Sequence, residues 1–360
     1  MIKCPVGQVM ASLKTNKPYL GVLFIQFVYA GRSVFAKAAI SKGMNPYVFV
    51  AYRQAFAFVV LAPFAIFFES HKSASLSFNL LCKIFFVSLF GITVSLNLDS
   101  LSMEYASATF TVAISNTVPA ITFIMALLLR MESIAIREWH GVAKLVGSIV
   151  SLGGAMVFIL IKGPPIYSLG SRHKELSSAA PSPSNNSDSN YSRGDWLKGS
   201  IASVTSNIVW SFWIIMQAPL TKQYPAILRL TALQTFFSCI QSMVWAAAAE
   251  RNISSWKLGW DINLLSVIYC GVVFTGITYW LRIWVINKKG PVFLAMFTPL
   301  ALLTTAFLSA VLWKESLHWG SLCGALLLVG GLYGYLWGRH QEGKVEKEVK
   351  KPAETTQETV

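Results

Sequence analysis

Charged side chains are scarce in this sequence. They make up 13% of its 360 residues, whereas 54% of the residues are hydrophobic. Soluble domains carry about 25% charged residues, so the shortage excludes an ordinary soluble domain and predicts a surface that faces lipid. Acidic residues are scarcest, at 16 against 30 lysines and arginines. The basic residues flank the apolar runs, which is typical of membrane orientation signals and argues against a nucleic-acid partner.

Motifs for metal binding and catalysis are missing as well. The five cysteines contain no CxxC pair, and His71, His140 and His318 have no ligand spacing, so we expect no metal site and no cofactor. The sequence also has no nucleophile–base arrangement and no phosphate-binding loop. We therefore do not expect an enzyme. The expected partners are a lipid bilayer and a small-molecule substrate.

What the sequence does contain is a series of long apolar runs. A helix needs about 20 apolar residues to cross the hydrocarbon layer of a bilayer. Runs of this length predict an all-α membrane protein with ten transmembrane helices. We place them at 19–41, 46–68, 80–100, 107–129, 139–161, 197–217, 227–249, 262–286, 291–313 and 318–337.

The two halves of the chain repeat each other at a shift of about 180 residues. Gly91 aligns with Gly271, and Pro119 aligns with Pro299. Each half holds five predicted spans, and an odd number inverts the second copy in the membrane. Such inverted repeats build a central site that opens alternately to two sides, which indicates transport. The predicted segments are a cytosolic N-terminus (1–18), two five-helix repeats (19–161 and 197–338), a flexible outer linker (162–196) and a disordered cytosolic tail (339–360).

Basic residues also predict the orientation. With both termini in the cytosol, more lysines and arginines fall in inner than in outer segments, as the positive-inside rule requires. The same orientation places the N-x-S sequons at Asn185, Asn190 and Asn252 outside, where glycosylation is feasible.

Polar residues inside predicted spans are the candidates for a substrate path, because burying them in hydrocarbon is costly. Spans 3 and 8 occupy equivalent places in the two repeats, and each carries three polar residues at i, i+4, i+7 spacing, which puts them on one helix face. Interhelical hydrogen bonding by the hydroxyl residues is the alternative. The two sets are Ser95, Asp99, Ser102 and Thr275, Tyr279, Arg282.

Spans 4 and 9 carry matched prolines at mid-depth. Pro119 and Pro299 each remove a backbone donor, which predicts a break or kink in the helix. Asn116 and Thr298 lie beside these breaks. Matched interruptions in both halves point to a binding site and to hinges; a packing kink without ligand contact is the alternative.

Spans 1 and 6 each place one amide side chain, Gln26 or Asn207, beside aromatic residues. Arg32 lies deep in span 1 and requires a counter-charge or a ligand anion. We expect Arg53 to extend toward the outer membrane edge. We expect Asp99, near the end of its span, to have a solvated role at the interface.

Four motifs resemble a known plant family: GMNPYVFVAYRQAFAFVVLAPFAIFFE (43–69), EYASATFTVAISNTVPAITF (104–123), GVAKLVGSIVSLGGAM (141–156) and KGPVFLAMFTPL (289–300). They are similar to plant drug/metabolite-type carriers with paired EamA domains. Within these, the chain resembles the walls-are-thin-related group, also called "usually multiple acids move in and out" or nodulin-21-like transporters. The resemblance extends from Lys17 to Gly338. Arg32, where the group has an apolar residue, and Arg282 depart from the pattern.

The resemblance implies two inverted bundles of five helices and transport of amino acids or auxin-like acids across the plasma membrane, with the vacuolar membrane as the alternative. Basic residues within the spans (Arg32, Lys37 and Arg282) suit a carboxylate. The leading prediction is therefore an alternating-access carrier of small organic acids or zwitterions, with amino acids first. Carriers of hydrophobic metabolites or nucleotide sugars are alternatives, and so is a membrane receptor or scaffold that transports nothing.

Overall fold

The structure is a computed structural model that describes residues 5–69, 76–105, 115–131, 138–160, 193–301, 303–304 and 319–357. All regular elements in these ranges are helices. The chain forms two compact units, and each unit combines segments from both halves of the sequence. The larger unit is Met1–Thr122 with Pro183–Leu308, and the smaller is Phe123–Ser182 with Ser309–Val360.

We number the helices in chain order. Two of them, α3 and α8, contain an internal π-helical segment, and a short 3₁₀ turn (Ile253–Trp256) precedes α8. The helices are α1 (Pro5–Ser41), α2 (Pro46–Phe68), α3 (78–105), α4 (Val118–Leu128), α5 (Trp139–Leu160), α6 (Arg193–Gln223), α7 (Ile227–Ala249), α8 (Ile262–Lys289), α9 (Pro291–Met296) and α10 (Trp319–Gln357).

Within the described residues, six helices are long and apolar enough to cross a membrane: segments of α2, α3, α5, α6, α7 and α8. Their outer surfaces are apolar. Phe67 is 83% exposed, and Trp139 and Trp260 are exposed near helix ends, as amphipathic rings are at a membrane interface. The prediction of an all-α multi-pass membrane protein is confirmed. The count of ten spans stays a prediction.

The C-terminal tail differs from its prediction. The sequence predicts disorder after residue 338, whereas α10 continues to Gln357. Lysine and glutamate are strong helix formers, and the tail spaces opposite charges one turn apart. In the smaller unit, Lys144 Nζ also contacts Glu342 Oε2 at 2.8 Å and ties the start of the tail to α5.

In the larger unit, helices α2 and α7 are joined at both ends by matched glutamates. The Glu69 carboxylate, at the end of α2, accepts a hydrogen bond from the backbone N–H of Arg229, at the start of α7, at 2.9 Å. Glu250, at the end of α7, accepts one from Asn45 Nδ2 at 2.8 Å, and Asn45 caps the start of α2. Each carboxylate lies at the positive end of the other helix, so the pairing fixes an antiparallel register.

The π segments, Ser88–Val94 in α3 and Tyr269–Ile277 in α8, occupy equivalent positions in the two halves. Each contains a glycine that allows close packing by another helix. A β-carbon on Gly91 would lie 2.7 Å from Trp213 Cβ, and one on Gly271 would lie 2.7 Å from Phe56 Cβ. The repeated glycines therefore mark points where aromatic side chains pack directly against the backbone.

In the smaller unit, α5 and α10 pack through glycines. A β-carbon on Gly331 would collide with the backbone nitrogen of Ser151 and lie 2.7 Å from the carbonyl oxygen of Gly147. Neither obstacle is a flexible side chain, so the helices would have to separate. At the neighbouring Gly330, nothing lies within 4 Å of an added β-carbon.

We therefore expect Gly331→Ala to lower the free energy of unfolding by about 1–3 kcal/mol, as overpacking does. Gly330→Ala is the matched control and should unfold at the temperature of the unchanged protein or slightly above it, because alanine is the better helix former. Thermal unfolding of the detergent-solubilised proteins measures both. Equal losses in the two variants would show that glycine packing between α5 and α10 does not hold this unit together.

Candidate functional site

The candidate site is a cavity within the larger unit, bounded by α1, α3, α6 and α8, with contributions from the segments just before α4 and after α9. The volume of the cavity is about 70 Å³. In this conformation the cavity therefore has room for a small molecule or ion rather than a drug-sized ligand. The residues that line it are Gln26, Tyr29, Arg32, Ser95, Leu96, Asp99, Ser115, Val118, Ser206, Asn207, Trp210, Ile214, Phe274, Tyr279, Arg282, Leu294 and Thr298.

Most residues of the predicted substrate path meet in this cavity, from both halves of the chain. Asn116 is buried beside the lining residues Ser115 and Val118 but does not itself line the cavity. Asn185 and Asn190 lie outside the described residues, as does the side chain of Lys37. Asn252 is exposed and caps the 3₁₀ turn before α8.

Thr275 is the exception on α8. Its hydroxyl donates to the carbonyl of Cys270 at 2.9 Å, five residues earlier, and does not line the cavity. The prediction that Thr275, Tyr279 and Arg282 share one face assumes α-helical spacing. The π segment ends only at Ile277, so Thr275 is rotated away from the two residues that follow.

The deep arginine of α1 has an acidic partner. Arg32 Nη2 lies 2.9 Å from Asp99 Oδ2, and the two side chains are 13% and 21% exposed. The predicted need of Arg32 for a counter-charge is met by Asp99 from α3. The expectation of a solvated interface role for Asp99 is wrong, because the ion pair holds it at the cavity.

Arg53 also differs from its prediction. It is 1% exposed and does not extend to the membrane edge. Among the residues that the structure describes, its Nε and Nη2 atoms have no hydrogen-bond partner. Its guanidinium carbon instead lies 5.6 Å from the centroid of the Phe274 ring. The cation–π contact and the packing of α2 against α8 keep it inside the protein.

Three guanidinium groups therefore surround one phenylalanine ring. The guanidinium carbons of Arg32, Arg53 and Arg282 lie 5.0, 5.6 and 5.8 Å from the centroid of Phe274. Among the described side chains, the cluster contacts one acid, Asp99. Two unit charges about 10 Å apart repel by roughly 1.7 kcal/mol at an effective dielectric constant of about 20. The cavity thus has an excess of buried positive charge that favours an anion.

An aromatic wall completes the site. Arg282 lies over the ring of Trp210 at 5.3 Å, and Trp210 stacks on Trp213 with centroids 4.8 Å apart. Tyr279 packs against both tryptophans and against Phe274. The sequence prediction noted aromatic neighbours only beside Gln26 and Asn207 and missed this wall. Cationic and aromatic groups together suit a carboxylate attached to an apolar body.

Ser95 also connects two helices. Its hydroxyl lies 3.3 Å from the carbonyl oxygen of Ser206, and the Ser206 hydroxyl donates to the Ser95 carbonyl at 2.8 Å. These reciprocal bonds fix α3 against α6 at the cavity wall, as hydroxyl side chains commonly do between membrane helices.

The matched prolines coincide with breaks in the helices. Asn116 and Thr117 form a turn before α4 starts at Val118, and α9 ends at Met296 with a turn from Phe297 to Pro299. Ser115 and Thr298 line the cavity beside these breaks. Each proline thus lies next to an interrupted segment of backbone at the candidate site.

We expect Pro119→Ala and Pro299→Ala each to slow transport severalfold without loss of protein from the membrane, since a backbone donor is restored where the helix must open. Pro63→Ala is the control, because Pro63 lies inside continuous α2 and is exposed. The initial rate at which proteoliposomes take up a labelled substrate measures the effect. If both variants kept the unaltered rate, the prolines would have no part in the transport cycle.

Comparisons with known proteins identify the family of the chain. The model of the EamA-like transporter family matches residues 16–157 and 197–337. The WAT1-related protein At1g43650 of Arabidopsis thaliana is 49% identical, with 92% of this chain and 94% of the relative covered. Protein WALLS ARE THIN 1 of the same plant is 36% identical, with 91% and 84% covered.

A solved crystal structure superposes with a TM-score of 0.64 over 90% of this chain and 99% of that chain. Its sequence identity is 14%, so it shows likeness of fold alone. The family match covers most of this chain, and the named relatives are similar over nearly their whole length. The chain therefore belongs to the EamA-like transporter family, as a WAT1-related plant protein, and it is a multi-pass membrane transporter and not an enzyme.

Proposed function

We propose that this transporter is an alternating-access carrier of small organic carboxylates, with amino acids as the first substrates to test. The observation that carries the proposal is Arg282. Its side chain is 7% exposed, lines the cavity, and has no acidic or hydrogen-bonding partner among the described residues. A buried guanidinium of this kind can hold a carboxylate through two parallel hydrogen bonds.

The competing role for Arg282 is attraction to lipid headgroups beside Lys288 and Lys289. Its surroundings favour the cavity. Its guanidinium stacks on Trp210 and Phe274, whereas Lys288 is exposed at the end of α8 and Lys289 Nζ lies over the ring of Tyr19. A side chain that extended to the interface would leave both aromatic contacts.

An amino acid would also need an acceptor for its ammonium group. Asp99 lines the same cavity and its carboxylate is bonded to Arg32 on one side; its remaining acceptor capacity could serve the ammonium. The substrate carboxylate would then bind Arg282.

The aromatic side chains that line the cavity support a second candidate function. Tyr29, Trp210, Phe274 and Tyr279 offer ring surfaces to a hydrophobic acid of the auxin type, which has a carboxylate but no ammonium. Such an acid would use Arg282 and leave the Arg32–Asp99 pair intact.

We also propose that the chain has ten spans in two inverted five-helix repeats, because matched breaks and an odd number of spans per repeat are what alternating access requires. It places the carrier in the plasma membrane, with the vacuolar membrane as the alternative.

The proposed topology has both termini in the cytosol. A protease-sensitive tag inserted at residue 180, in the long connection between the halves, should be cut from the outer or lumenal side, because the distribution of basic residues places that connection outside. The same tag at the C-terminus is the control and should be cut only from the cytosolic side. Cleavage of the residue-180 tag from the cytosol would reverse the topology.

Uptake into proteoliposomes tests the function. We expect saturable uptake of a labelled amino acid, of a labelled indole carboxylate, or of both, above that of protein-free liposomes. Unlabelled amino acid that suppresses uptake of the indole acid would place both in one site. Uptake of neither would reject the carboxylate proposal.

A further inference from the structure

Two hydrogen-bond donors in the cavity wall have no protein partner among the described residues. They are the hydroxyl of Tyr279 and the Nε–H of Arg282. Tyr279 and Arg282 are three residues apart in the α-helical part of α8, so they lie on one face, one turn apart. Both residues line the cavity. A buried donor without a partner is costly, which indicates that something outside the chain satisfies these two.

The charge of the site indicates the sign of that ligand. Arg32, Arg53 and Arg282 surround Phe274, and Asp99 balances one of the three. Arg53, whose guanidinium carbon lies 5.6 Å from the centroid of the same ring, adds two further nitrogens, Nε and Nη2, that have no hydrogen-bond partner among the described residues. Three arginines against one acid favour an anion over a cation as the partner of these donors.

The size of the site indicates a small anion. The cavity measures about 70 Å³ in this conformation, which suits an ion and a few water molecules. We propose that a chloride-class inorganic monoanion binds between Tyr279 and Arg282 when the organic substrate is absent. This inference goes beyond the carrier function and does not depend on it. It also implies that halide and carboxylate compete for Arg282.

Fluorescence quenching by bromide tests the proposal, because Trp210 stacks against Arg282 and stacks in turn on Trp213. Purified full-length protein in detergent is titrated with sodium bromide at constant ionic strength, with sodium fluoride as the replacement salt. The other tryptophans give collisional quenching that rises linearly with bromide. We expect an additional saturable component, and chloride should displace it.

Three variants locate the ion. Arg282→Gln and Tyr279→Phe should each weaken the saturable component by about tenfold or more, since a hydrogen bond to a charged group is lost. Lys222→Gln removes an exposed cation from the end of α6 and should leave it unchanged. Size-exclusion chromatography identifies variants that fail to fold, and Arg282→Lys, which keeps the charge, should retain part of the binding.

Quenching that is linear in bromide for the unaltered protein, or a saturable component that survives Arg282→Gln, overturns the halide site. Because the readout is binding in detergent, it stands whether or not carboxylate uptake is observed. Where uptake is observed, chloride should raise the apparent KM for the carboxylate without changing the maximal rate.

Discussion

Arg282→Gln should reduce the affinity for a transported carboxylate by about 10- to 100-fold. The variant removes the cavity-lining guanidinium, and a hydrogen bond to a charged group contributes about 1.5–3 kcal/mol. Arg282→Lys should lose less, about tenfold, because an ammonium keeps the charge but cannot form two parallel bonds. The apparent KM of uptake in proteoliposomes, with protein content matched by immunoblot, measures both.

Lys222→Gln is the control for loss of a positive charge, since Lys222 is exposed at the end of α6. It should transport like the unaltered protein. The carboxylate-binding role would be contradicted if Arg282→Lys transported like the unaltered protein and Arg282→Gln kept its affinity. Arg282 would then only contact lipid headgroups at the membrane interface, a role that lysine fills equally well.

Asp99→Asn should lower the stability of the larger unit by about 1–3 kcal/mol. It leaves the partly buried Arg32 guanidinium without its partner and raises the excess of positive charge around Phe274. Complete burial would give about 3–5 kcal/mol, but both groups are partly exposed and the loss is correspondingly smaller. The midpoint of thermal unfolding measures the change.

A double-mutant cycle separates the ion pair from effects of the single residues. Arg32→Met should also destabilise, whereas the combination Arg32→Met/Asp99→Asn should lose less than the sum of the two single changes, because no charge is left unpaired. Lys83→Met is the control, since Lys83 is exposed and makes only a long contact with Gln223. Strictly additive losses would show that Arg32 and Asp99 do not stabilise each other.

Much of the helical framework could be predicted from the sequence. The predicted spans 46–68 and 227–249 coincide with α2 and α7. The first of these apolar runs starts at Pro46, and Glu250 follows the last residue of the second. A membrane helix must satisfy its own backbone hydrogen bonds, so each apolar run is expected to be helical from one boundary to the other. The matched prolines likewise predicted the breaks beside Pro119 and Pro299, since proline cannot donate to the preceding turn.

Other features depended on contacts that spacing does not reveal. The Arg32–Asp99 pair joins residues 67 positions apart, and nothing in either local pattern identifies the partner. Arg53 looks close to a span end, but its depth is set by the packing of α2 against the π segment of α8. Thr275 was placed on the wrong face because a single helical period was applied across a π segment.

If the buried guanidinium of Arg282 recognises the substrate, a carboxylate should bind more tightly than an uncharged analogue. The most direct test compares one substrate acid with its neutral primary amide, which has nearly the same shape but no charge. Equilibrium binding of both to the purified carrier is measured, with and without Arg282→Gln. We expect the acid to bind at least about tenfold more tightly than the amide, and the variant to remove this difference. Equal affinity of the unaltered carrier for acid and amide, or a preference that survives Arg282→Gln, would contradict it.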